Sequence, residues 1–90
     1  QKKSLTQNLK SNQTVNYCII QENIKNGERI RQYKIEAKVD GKWKTVCTGE
    51  SVGHKRIEKF DPIEATALRL TVLQSIALPD ITNFSAFSVN

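Results

Sequence analysis

The sequence predicts an all-β protein, an antiparallel sandwich of short strands, and three observations carry that reading. Short apolar or alternating segments recur about every 10 to 12 residues between polar or glycine-containing breaks, the spacing of sandwiches and barrels. Residues 30–39 (IRQYKIEAKV) alternate with period two. Asp40-Gly41 follows at once and leads into residues 42–48 (KWKTVCT), which predicts two strands joined by a two-residue type I′ turn.

In chain order, residues 5–9 form a polar first strand and Ser11-Asn12-Gln13 its turn. Residues 15–21 (VNYCIIQ) are β-branched and aromatic, too short for a typical helix, and read as a central, largely buried strand. Asn26-Gly27 is a turn signal because both residues tolerate positive φ. In the next strand Tyr33, Ile35, Ala37 and Val39 take one face, while Gln32, Lys34, Glu36 and Lys38 take the other. Residues 49–53 are a loop, and residues 55–60 a short strand that Asp61-Pro62 ends. Residues 65–73 (ATALRLTVL) set Leu68, Leu70 and Val72 against Arg69, Thr71 and Leu73. A helix competes there, but Thr66, Thr71 and Val72 are stiff at χ1 and favour the strand. Residues 75–79 connect to a last strand over 81–89 (ITNFSAFSV). Trp43, beside the tight turn, is assigned to capping the core rather than to stacking on a sugar. Tyr17, Tyr33, Phe60, Phe84 and Phe87 are likewise assigned to the core.

At 90 residues the chain has room for one small core, so residues 4–90 are expected to form a single domain behind a disordered tail at 1–3. A net charge of +5 and a pI near 9.4 admit polyanion partners. A basic polyanion-binding module, for nucleic acid or sulfated glycan, is therefore the alternative function. The basic residues are interleaved with Glu22, Glu28, Glu36, Asp40, Glu58, Asp61 and Glu64, however, which describes a solvated mixed-sign surface and no specific nucleic-acid reader. No apolar run approaches the roughly 18 to 20 residues a bilayer span needs, so membrane insertion is not expected. Cys18 and Cys47 are the only cysteines and form no C-x-x-C pair. Buried free thiols are the leading reading, and one disulfide across facing strands stays open. His54 has no nucleophilic Ser or Cys partner in a known motif, and the acids are scattered, so no catalytic residue, metal site or cofactor is expected.

The order of pieces then becomes specific: Gln21-Glu22, then Gly27-Glu28-Arg29-Ile30, Asp40-Gly41-Lys42-Trp43, Gly53-His54-Lys55-Arg56-Ile57, and Ala67-Leu68-Arg69-Leu70. Over residues 4–89 this resembles the C-terminal discoidin-like domain of bacterial α-L-fucosidases. The combination I-Q-E-x-I-x-x-G-x-R-I at 20–30 with G-x-K-R-I at 53–57 points to that branch. The resemblance implies a galactose-binding-like jelly roll, acting as a non-catalytic accessory, carbohydrate-binding module of a glycoside hydrolase. It implies an extracytoplasmic bacterial setting, periplasmic or secreted. The implied partners are a fucose- or galactose-containing glycan or the catalytic domain of the parent protein, whose paired carboxylates lie on a separate barrel. Domains of this kind run longer, so N-terminal strands are expected to be missing. The open edge that would leave suggests a homodimer or strand exchange.

The polar constellation Gln21, Glu22, Arg29, His54, Lys55 and Arg56 lies at strand ends and loops that a sandwich could gather at one rim. Amide, carboxylate and guanidinium groups can make paired hydrogen bonds to vicinal sugar hydroxyls. A structural network, for example Glu22 with Arg29 or Arg56, is the competing reading and is placed ahead of it. Arg69 is assigned a structural role.

Overall fold

A computed structural model of the chain describes residues 3–25 and 27–88. It contains five strands: β1 (Lys3–Glu22), β2 (Ile30–Val39), β3 (Lys42–Gly49), β4 (Arg56–Ser75) and β5 (Ile81–Phe87). They pair antiparallel in the order β3-β2-β4-β1-β5. Of the expected tail, residues 1 and 2 lie outside the described residues, and Lys3 is the first residue of β1.

A 20-residue strand kept straight at about 3.3 Å per residue would run some 65 Å. The longest dimension of the molecule is 37 Å. Both long strands therefore fold over, and their ladder shows where: the pairing steps from Asn8↔Ala67 to Gln13↔Ala65, so residues 9–12 bulge out of β1. One layer holds β3, β2, residues 67–75 of β4 and residues 3–8 of β1. The other holds residues 56–65 of β4, residues 13–22 of β1, and β5. This is the all-β antiparallel sandwich that the sequence predicts.

Two expected breaks turn out to be corners. The residues read as a turn, Ser11-Asn12-Gln13, lie inside β1 at its fold. Asp61-Pro62 does not end a strand but lies within β4, where the ladder skips from Tyr17↔Lys59 to Val15↔Ile63. A proline is tolerated at such a bulge because the ladder asks no N–H of it. The same irregularity changes which residues point inward, from Val15 before it to Cys18 and Ile20 after it.

The hairpin forms as expected: Val39 pairs Lys42, and Asp40 and Gly41 take φ of 52° and 80°, the two positive values of a type I′ turn. Tyr33, Ile35 and Ala37 face inward with Leu68, Leu70 and Val72 from one layer, and Val15, Cys18, Ile20 and Phe84 meet them from the other. Gly27 has a φ of 95° and donates to the Ile24 carbonyl at 2.8 Å, while Asn26 lies outside the described residues, as does Val89 of the last strand.

Three aromatic assignments need correction. Tyr17 and Phe87 are cross-strand partners on the outer side of the second layer, where their rings stack at 5.2 Å with Phe87 exposed. The buried parity of this stretch of β1 belongs to Cys18 and Ile20, which leaves Tyr17 on the far face. Trp43 does not cap the core. It pairs with Lys38 and so shares the outer face of Lys34 and Glu36, half-buried with the Arg69 guanidinium 4.2 Å from its ring centre. Arg69 also bonds Glu36 at 2.9 Å, the structural role expected of it. Tyr33, Phe84 and, at the periphery, Phe60 do join the core.

Candidate functional site

Because β1 and β4 fold over, both ends of each return to the same end of the sandwich. Three loops therefore gather there: residues 23–29, 50–55 and 76–80. The strand ends that flank them are tied by the ladders Ile20↔Arg56, Tyr33↔Gly49 and Ile30↔Ser75.

The first and third loops are stitched together. Asn23 N donates to the Asp80 carbonyl at 2.8 Å, Ile76 N to the Arg29 carbonyl at 2.9 Å, and the Arg29 guanidinium to the Leu78 carbonyl at 2.9 Å. Glu22 lies beneath, only 2% exposed, and its Oε2 accepts from Arg29 N at 2.9 Å and Ile30 N at 3.3 Å. A carboxylate accepting two backbone N–H groups through one oxygen shapes the loop, while Glu22 Oε1 is buried with no hydrogen-bond partner among the described residues. The anticipated pairing of Glu22 with the Arg29 or Arg56 side chain is thus replaced by a backbone contact. Gln21 is engaged as well, its Oε1 accepting from Asn83 Nδ2 at 3.0 Å. His54 and Lys55 are exposed in the second loop, with no side-chain bond to any described residue.

Of the six residues singled out, Arg56 alone lines an open groove of about 700 Å³. Gln32, Thr48, Glu50 and Arg56 supply its polar wall and Leu73 its exposed apolar surface, with the buried Tyr33 beneath. Arg56 Nε stands 3.7 Å from Glu58 Oε1, and Glu58 Oε2 accepts from the Tyr33 hydroxyl at 2.6 Å. Burial, and next the Glu58 bond, push the Tyr33 phenol well above its ordinary value, so it stays a neutral donor. Gly49 allows this arrangement: a Cβ there would collide with the Tyr33 ring and lie 2.7 Å from Glu58 Oε2. Sequence reading missed Gln32, Thr48, Glu50 and Tyr33 as groove residues. Alternation assigns a residue to a face, but whether that face borders an opening between layers depends on how two distant strands stack.

Both thiols are free. Cys18 is pushed up to about 12, by burial first and then by Cys47 and Glu58, and Cys47 to about 11, by burial and then Glu58. They are inert packing groups, not nucleophiles. The groove sets the polar side chains of Gln32, Thr48, Glu50 and Arg56 beside Leu73, and the nearby Glu58 carboxylate is engaged by Tyr33 and Arg56.

A folded-over sandwich with its loops gathered at one rim is the architecture of discoidin-like domains. Residues 1–85 match the F5/8 type C domain model, and the chain belongs to that family. Its relatives are α-L-fucosidases, in which this is the C-terminal domain. A solved structure from Bacteroides thetaiotaomicron, described as an α-L-fucosidase, is 80% identical with a TM-score of 0.95, over 97% of this chain and 20% of that one. One from Bacteroides ovatus, described likewise, is 28% identical with a TM-score of 0.90, over 96% of this chain and 15% of that one. A rice protein described as α-L-fucosidase 1 is 33% identical over 81% of this chain and 14% of its own length. The chain thus spans a fifth or less of these relatives.

Proposed function

We propose that this domain is a non-catalytic accessory module of an α-L-fucosidase-like glycoside hydrolase acting outside the cytoplasm, and that it holds a carbohydrate in the groove beside Arg56. The observation that carries the reading is the groove itself. Its size falls in the range of small-ligand sites, about 300–1,000 Å³. Its lining matches what a sugar presents: Gln32, Thr48, Glu50 and Arg56 can pair with hydroxyls, while Leu73 accepts a C–H face. Relatives described as fucosidases favour a fucose- or galactose-containing glycan.

The test is a titration of the 90-residue chain, isotopically labelled, with fucosylated and galactosylated oligosaccharides. Saturable shifts at the Gly49 and Glu50 amides, lost in Arg56→Ala, are expected. Absence of shifts at millimolar sugar would defeat the carbohydrate reading.

A further inference from the structure

The Arg56 groove does not stand alone. β3 ends the strand order of the first layer, and residues 56–65 of β4 pair with β1 alone among the described residues, so each is the outer strand of its layer. The two edges face each other across the side of the sandwich: a Cβ on Gly49 of β3 would lie 2.7 Å from Glu58 Oε2 of β4. They run in opposite senses. Thr48 and Gly49 therefore stand by Arg56, while residues 44–46 stand by residues 60–63, where a second depression of about 370 Å³ opens. At about 3.3 Å per residue, Thr45 and Thr48 are about 10 Å apart along β3, and Arg56 and Phe60 about 13 Å apart along β4. Two depressions at that separation on one seam suit a ligand longer than a single sugar ring.

The second depression offers partners to both sides of such a ring. Val46, Phe60 and Ile63 line it, each packed on the core yet partly exposed, a surface that the C–H face of a pyranose can cover. Lys44 and Asp61 also line it, both exposed and with no side-chain bond to any described residue. An ammonium donates to a hydroxyl and a carboxylate accepts from one, so a polyol rim is met in both senses. Charge along the seam selects the kind of sugar: Glu50, Glu58 and Asp61 stand against Lys44 and Arg56, a mixture that gives a sulfated or uronic chain no advantage. We propose that the seam between β3 and β4 is one elongated site, and that it takes a linear neutral oligosaccharide, with one ring on Phe60 between Lys44 and Asp61 and another beside Arg56. The inference rests on the carbohydrate reading of the Arg56 groove and narrows its ligand from a single sugar to a chain.

The isotopically labelled 90-residue chain is titrated with fucose and galactose, and with linear neutral oligosaccharides that contain them. The monosaccharides are expected to shift the Gly49 and Glu50 amides alone. The oligosaccharides are expected to shift those of Thr45, Val46 and Asp61 as well and to bind at least about tenfold more tightly, because the second ring engages from a chain already anchored. Phe60→Leu, which keeps an apolar side chain on the core, and Lys44→Ala are each expected to return the oligosaccharide toward monosaccharide affinity while leaving monosaccharide binding unchanged. Shifts at Gly49 and Glu50 with no gain in affinity from chain length, and none at Thr45, Val46 or Asp61, would overturn the elongated site and leave the groove reading intact. So would an oligosaccharide affinity that neither variant alters. No shift with any of the sugars would defeat the groove reading and this inference with it.

Discussion

Gly49→Ala isolates a contact in this sandwich, because Gly49 has no positive φ and the substitution meets steric resistance alone. The added methyl would collide with the fully buried Tyr33 ring and sit 2.7 Å from Glu58 Oε2. Forcing a methyl into a packed site costs about 1–3 kcal/mol. Displacing Tyr33 from Glu58 weakens a charge-assisted hydrogen bond of the sort that contributes about 1.5–3 kcal/mol. Lower chain entropy in the unfolded state returns about 0.4–1 kcal/mol. The net expectation is a loss of about 2–4 kcal/mol, which at a urea m-value near 1 kcal/mol/M lowers the midpoint by about 2 M or more. Tyr33→Phe keeps the ring and removes the hydroxyl, so Gly49→Ala made in that background should cost about 1 kcal/mol less. Urea unfolding of the four proteins in the cycle measures this. A single-variant cost under about 0.5 kcal/mol, or strict additivity, would refute the claim that Gly49 exists to admit the Tyr33–Glu58 pair.

Other expectations follow from the same geometry. Gly41→Ala has free space around it but a φ of 80°, so it should cost about 1 kcal/mol through backbone strain, read by the same urea assay. Glu22→Ala strips two buried or half-buried N–H groups of their acceptor, and thermal unfolding should show a loss of about 3 kcal/mol or more. Cys47, raised from an ordinary 9.0 to about 11, should be alkylated at pH 8 about 100-fold more slowly in the folded chain than in urea. The folded state holds the Cys18 and Cys47 protons to higher pH than the unfolded state. Their contribution is therefore complete below pH 9 and is lost as pH rises through about 11 and 12, which a stability profile of Cys47→Ser should flatten. If the positive charge is surface solvation alone, retention on heparin stays weak and steep salt dependence is absent.

What the sequence disclosed followed from periodicity and turn chemistry. Alternation from Tyr33 to Ala37, the Asp40-Gly41 turn and the Leu68-Leu70-Val72 face are local properties, and the structure reproduces them. What it concealed depended on strands meeting at a distance. Asp61-Pro62 reads as a stop unless the bulge it occupies in β4, opposite residues 15–17 of β1, is known. Trp43 reads as a core residue until its pairing with Lys38 places it on the outer face. Glu22 had its importance recognised but its partner misjudged, since side-chain charge suggests a side-chain mate and the loop turns backbone N–H groups toward it instead. Gathering Gln21, Glu22, Arg29 and Arg56 near one rim was legible from strand ends. The groove around Arg56 was not, because its other walls come from Gln32 of β2, Thr48 of β3 and Glu50 just beyond β3.

The route taken by β1 has a consequence for synthesis. Its strand-pairing partners belong to β4 and β5, with Lys3 opposite Val72 and Tyr17 opposite Phe87. On the ribosome β1 must wait for β4, whose pairing residues begin at Arg56, before it can close a ladder, and such long-range closure is slow. During the delay a 20-residue segment stands without partners, and its opening run, KSLTQNLKSNQT, is polar enough to remain dissolved until they arrive.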